Sequence, residues 1–136
     1  TSSVLFQPTY TFLRGSKIFG TVVGGNLRCL LKLAGTRYFP DCTGKVLFLE
    51  ALGGGLAEIS AMAVQLRQMG VFQQISGLLL GTFTKLEEQY GSDAMKELFL
   101  QVTESCPIPI AKTAEIGHAP DSKALQIGVP ILLEAE

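Results

Sequence analysis

Residues 45 to 83 pass from a short apolar run, through a stretch of helical period, to a second short apolar run, and few architectures accommodate that order. Val46, Leu47, Phe48 and Leu49 form a run of strand length, apolar enough to be buried on both faces. From Leu56 to Met69 the apolar residues fall at 56, 59, 62, 63, 66 and 69, the spacing of one helix face, and Gly70 follows as a stop. SGLLLGTF, 76 to 83, is again short, apolar and bounded by turn residues. A further helix is expected over 93 to 104, with Ser92 or Asp93 as its cap. The segment after it is expected to be extended, because Pro107 and Pro109 both disfavour helix. Strand–helix–strand–helix–strand over 45 to 115 is the order of parallel βαβ units.

The flanks are less regular. Short strands are expected at 3 to 6 and 17 to 23. GGNLRCLLKLAGT reads as a helix with Asn26 as N-cap, Leu27, Leu30, Leu31 and Ala34 on one face and Gly35 as the C-terminal stop. ALQIGVPILLEAE reads as two short strands split at Gly128, most simply a hairpin or a sheet edge. These outer strands are expected to build a second, antiparallel layer on the parallel core. The chain of 136 residues suits one compact domain, residues 1 to 136, without linker or internal repeat.

Composition removes several function classes. Net charge is −1 with no long charged run, which argues against nucleic acid or an anionic membrane as partner. No apolar stretch approaches the roughly 20 residues that cross a bilayer, and no basic and apolar pair of segments opens the chain as a signal peptide would. Cys29, Cys42 and Cys106 are odd in number and lack CxxC spacing, so reduced thiols are expected, with neither a disulfide framework nor a four-ligand zinc site. His118 is the one histidine, which rules out a two-histidine metal site.

Two residues raise a chemical question. Glu50 ends an apolar strand and is followed by Gly53-Gly54-Gly55; His118 sits in a Gly-His-Ala-Pro turn after an extended segment. In open parallel sheets, ligands bind beyond the carboxyl ends of strands. A carboxylate beside an imidazole orients the ring and stabilises its cation, which is the base-and-acid part of a catalytic triad. No Gly-x-Ser-x-Gly elbow supplies a nucleophile. On the residues alone, Glu50 is either a solvated strand terminus or the mouth of a site, and His118 either structural or a general base. Gly24-Gly25-Asn26 either offers backbone amides to an anion or is a plain helix cap.

Four runs in order, GGNLRCLLKLAGTRYFPD, GKVLFLE, QLRQMGVFQQISGLLLGTF and IGHAP, resemble the carboxyl-terminal half of the LD-carboxypeptidases, a family that includes the microcin-C self-immunity peptidases. The likeness covers roughly residues 17 to 134. It implies a swivelling three-layer β/β/α domain and a partner domain of the same protein that carries a serine nucleophile. It also implies a Ser-Glu-His triad in which Glu50, in LFLE, and His118, in GHAP, supply the acid and the base. Gly24, Gly25 and Asn26 match the family's Gly-Gly-Asn and would shape the substrate pocket. The implied reaction is cytoplasmic removal of the terminal D-alanine from a peptidoglycan tetrapeptide (a muropeptide), without metal or cofactor, and the family tends to dimerise. Departures lie in the pocket loop, where Ala51 stands in place of a second acid and Gly53-Gly54-Gly55 in place of an acid and an arginine. They leave open a relative that cleaves another amide, such as a peptidyl-nucleotide toxin. A non-catalytic binding or scaffold domain of the same fold is the third reading.

Overall fold

The computed structural model of the chain describes residues 4–5, 9–116 and 127–135. The strands among them are β1 (Val4–Leu5), β2 (Thr11–Arg14), β3 (Lys17–Asn26), β4 (Val46–Ala51), β5 (Gly77–Phe83), β6 (Ile110–Lys112) and β7 (Pro130–Glu134). The helices are α1 (Leu27–Leu31), α2 (Leu56–Gln68), α3 (Val71–Gln74), α4 (Thr84–Tyr90) and α5 (Ser92–Val102). Strands follow the order β1-β7-β3-β4-β5-β6-β2. The β3–β4, β4–β5 and β5–β6 pairs are parallel, as the alternating sequence requires, and β2 closes one edge antiparallel to β6.

Period-two alternation sorts the strand residues onto two faces. Leu47, Leu49, Leu78, Leu80 and Ile110 join Leu27, Ile59, Leu66, Leu86 and Phe99 in one apolar cluster, so all five helices contribute to that side or continue from it. Val22, Val46, Phe48, Leu79 and Ala111 face the other way and pack with Ile18, Ile131 and Leu133. That second face is covered by β7 and the first half of β3. The architecture is the expected three-layer β/β/α fold with a parallel core and an additional layer containing antiparallel pairing.

Several expectations are corrected. The carboxyl-terminal strand is neither hairpin nor edge: β7 lies between β1 and β3, antiparallel to β3 and parallel to β1. The expected strand before Gly128 falls largely outside the described residues. α1 stops at Leu31, three residues short of Ala34, and the chain continues to Thr36 through i→i+3 bonds such as Ala34 N to Leu31 O at 3.1 Å. Asn26 is the N-cap as expected, its Oδ1 accepting from Cys29 N at 3.1 Å. At α5 the N-cap is Gly91, with Ser92 already inside the helix, so neither Ser92 nor Asp93 caps it. β2, α3 and α4 are elements that sequence reasoning missed. β2 is held by Arg14, whose guanidinium donates to Leu100 O at 3.1 Å, Ile108 O at 3.2 Å and Thr103 Oγ1 at 2.9 Å. A cation there also complements the carboxyl end of α5.

Candidate active site

Glu50 is the penultimate residue of β4 and is 8% exposed, among neighbours that are all buried. It follows the parity of Val46 and Phe48, so it continues the face covered by the β layer and not the helix face. A solvated strand terminus is therefore the wrong description, because a carboxylate this buried needs polar company to offset the loss of water. On the β3 side its register partner is Asn26. On the β5 side the ladder shifts: Leu49 opposes Leu80, yet Ala51 opposes Phe83, so Gly81 and Thr82 together face the single residue Glu50. This is a β-bulge, a device that bends a strand and re-aims side chains beside sites.

The bulge also holds the chain that returns from β6. Thr82 N donates to Ile116 O at 2.9 Å, and Thr82 Oγ1 donates to Ala114 O at 3.4 Å. A methyl group at Gly81 would lie 2.7 Å from Ile116 O and 2.8 Å from the Phe48 ring, so only glycine allows this approach. Ile116 is itself buried in the cluster that contains Phe48. Residues 114–116 are thus fixed at the carboxyl end of β5, on the face to which Glu50 belongs. His118 lies outside the described residues. The role of Gly81 and Thr82 went unread in the sequence, although a lone glycine inside an apolar strand is a signal of a bulge or close backbone approach.

Gly24, Gly25 and Asn26 occupy the end of β3 beside this point. Gly24 adopts φ +108°, and a Cβ there would sit 2.2 Å from Phe48 O. Gly25 has φ +142°, and a methyl added there would meet nothing within 4 Å. Gly24 and Asn26 line a cavity of about 300 Å³ together with Cys29, Leu30, Leu33 and Ile127. Its walls are mostly apolar, and the Asn26 side-chain oxygen is engaged as the helix cap. The loop after β4 leaves Leu52 50% exposed, and Arg28 of α1 pairs with Glu58 in the first turn of α2 at 2.5 Å. Among the described residues, no three His, Cys, Asp or Glu side chains cluster as metal ligands, and no helix is long and apolar enough to cross a membrane.

Comparison with known proteins gives consistent results. A family model for the LD-carboxypeptidase C-terminal domain matches residues 19–133. The microcin C7 self-immunity protein MccF of Escherichia coli is 24% identical over 131 residues, covering 96% of this chain and 38% of that protein. The murein tetrapeptide carboxypeptidase of Pseudomonas aeruginosa is 25% identical over 121 residues, covering 87% of this chain and 39% of that one. Among solved structures, an MccF-like protein from Streptococcus pneumoniae in complex with AMP superposes with a TM-score of 0.77 at 28% identity, over 93% of this chain and 41% of that chain. Wild-type MccF in the apo state gives the same TM-score of 0.77 at 22% identity, over 95% of this chain and 39% of that one. The chain therefore spans about two-fifths of the length of the relatives it matches.

Proposed function

Because the chain belongs to the LD-carboxypeptidase C-terminal domain family, we propose that it is the acid-and-base half of a serine-type hydrolase, with Glu50 and His118 completing a Ser-Glu-His triad. The nucleophile comes from another domain of the same protein, and the isolated chain is inactive. His118 removes the serine proton as serine attacks the amide carbonyl, then returns it to the leaving amine. Glu50 holds the imidazole in the required tautomer and stabilises its cation. The substrate is a muropeptide that loses its terminal D-alanine in the cytoplasm. Gly24, Gly25 and Asn26 shape its pocket, neither metal nor cofactor is used, and the whole protein works as a dimer.

One observation carries the reading. A buried carboxylate ends β4 opposite a bulge, and that bulge binds the segment ending at Ile116, two residues before His118. Burying a carboxylate there carries a desolvation cost that an apolar side chain would not, and a role in orienting His118 accounts for it.

The test uses the whole protein. Glu50→Gln and His118→Ala are expected to lower turnover of the tetrapeptide by roughly 10³-fold or more while leaving the unfolding midpoint nearly unchanged. Unaltered turnover in both folded variants would leave only the scaffold reading. An MccF-like structural relative is seen in complex with AMP, and together with the Gly53-Gly54-Gly55 loop this favours a second substrate class, a peptidyl nucleotide. Parallel assays on tetrapeptide and acyl-nucleotide amides decide between them.

A further inference from the structure

A second concavity lies at the carboxyl end of β6, on the helix-covered face of the sheet. It measures about 260 Å³, below the range of drug-sized pockets, so it suits a ligand of few atoms. Lys112 of β6 borders it, together with Glu87 from α4, Lys96 from α5, and Glu115. Lys112 shares the parity of Ile110, so it stands on the face opposite to Glu50.

Lys112 is the unusual member. Its side chain is only 6% exposed, its Nζ donates to Thr113 O at 3.1 Å, and Glu87 Oε1 lies 3.4 Å away. Glu87 is itself fixed in place, because its other oxygen accepts from Phe83 N at 2.5 Å. Burial pushes the Lys112 ammonium below the ordinary lysine range; the Glu87 carboxylate opposes that shift, and the charge of Lys96 adds to it. A desolvated amine beside a second cation, bordering a cavity, is an arrangement that activates lysine as a nucleophile.

The charges around the cavity also select what can enter it. An anionic ligand would face Glu87 and Glu115, and a cationic one would face both lysines, whereas a neutral molecule meets neither penalty. We propose that Lys112 captures a small neutral aldehyde in this cavity as an imine, with Glu87 carrying the proton. Glu87 Oε1 takes one proton from the ammonium, and the freed amine attacks the carbonyl carbon. The C–N bond forms as the carbonyl π pair moves to oxygen, which then receives a proton from the nitrogen. Glu87 returns its proton to that hydroxyl, the C–O bond breaks, water leaves, and the nitrogen lone pair completes the C=N bond. The product is an iminium cation, so the charge facing Glu87 is the same before and after, and the carboxylate is never left buried without a counter-charge. None of these steps depends on the proposed hydrolysis.

The test treats the folded 136-residue chain with propanal and cyanoborohydride near neutral pH and follows propylation of each lysine by peptide mass spectrometry. Lys112 is expected to be labelled at least about threefold faster than Lys32 and Lys85, which are exposed. In guanidinium chloride the three lysines should react at equal rates, because the cavity is gone. Labelling of Lys112 at or below the rate of Lys32 and Lys85 in the folded chain would show a closed ion pair that only ties α4 to β6. A lead that persists in guanidinium chloride would assign the reactivity to local sequence and not to the cavity. Either result overturns the proposal.

Discussion

Gly24 and Gly25 are neighbours with similar backbone angles and opposite surroundings, so replacing each by alanine isolates one physical effect. Both sit at positive φ, +108° and +142°, and either alanine carries a backbone penalty of about 1–3 kcal/mol. Only at Gly24 does the new methyl meet the neighbouring strand, 2.2 Å from Phe48 O and 2.9 Å from Leu47 Cδ1. Carbon–oxygen contacts settle near 3.3 Å, so β3 and β4 would have to separate by on the order of 1 Å at that point. Two residues on stands the Asn26–Glu50 register pair, and the parallel ladder there is part of the core. Overpacking of this kind costs about 1–3 kcal/mol beyond the shared backbone term. With a urea slope of about 1–3 kcal/mol per molar, Gly24→Ala should unfold roughly 1 M earlier than Gly25→Ala. Equilibrium urea unfolding of the 136-residue chain, followed by far-ultraviolet circular dichroism, measures both midpoints. Coincident midpoints with equal slopes would refute the argument, because they would mean that β3 yields at Gly24 without cost.

Two further outcomes follow from buried titratable groups. Burial lowers the Lys112 pKa below 10.5, so between its folded value and 10.5 the unfolded chain binds more protons and this group's contribution to stability rises with pH. The unfolding free energy of the native chain relative to Lys112→Met should therefore increase from neutral pH towards pH 10.5, and a flat or falling difference would contradict it. Burial, with Asp41 adding to it, raises the Cys42 thiol above its usual range, whereas Cys29 is exposed. An aromatic disulfide reagent at mildly alkaline pH should modify Cys29 first and Cys42 last in the folded chain, with all three thiols equivalent in urea. Equal folded-state rates for Cys29 and Cys42 would count against the placement of Cys42 in the core.

The parallel core was legible because its signals are redundant. β4 and β5 are apolar runs bounded by turns, and α2 has a six-residue apolar stripe ending at Gly70, which adopts φ +79°. The misses share a cause, which is that the deciding partner is remote in sequence. Nothing near Thr11–Arg14 announces β2; its register depends on β6 and on Arg14 reaching the end of α5. α4 has seven residues and one buried side chain, too few for a period, and its start is fixed by Glu87 turning back to Phe83 N. β7 reads as an edge because its two neighbours, β1 and the first half of β3, lie at the other end of the chain. At the site, the type and position of Glu50 were readable but its burial was not. The burial of a glutamate near a strand end depends on elements that are remote in sequence, and the bulge in β5 opposite it has no local signature beyond Gly81.

β3 explains how these layers coexist without loosening the end that carries Glu50. Its first five residues, Lys17 to Thr21, pair antiparallel with β7, and its last five, Val22 to Asn26, pair parallel with β4. The exchange of partners occurs at Thr21–Val22, where Val22 N donates to Val129 O at 3.2 Å and Val22 O accepts from Gly128 N at 2.8 Å. Beside it Ser76 Oγ reaches Phe19 O at 3.1 Å and Lys45 O at 3.2 Å, and a methyl at Gly77 would strike Ile18 at 2.8 Å. This joint therefore lies at the amino ends of β4 and β5, while Glu50, Gly81 and Thr82 lie at or near their carboxyl ends. Packing that makes the sheet double over is thereby separated from the bulge by the length of a strand. Substitutions at Ile18, Ser76 or Gly77 should weaken the fold as a whole, whereas those at Thr82 should act on residues 114–116 and leave the joint intact.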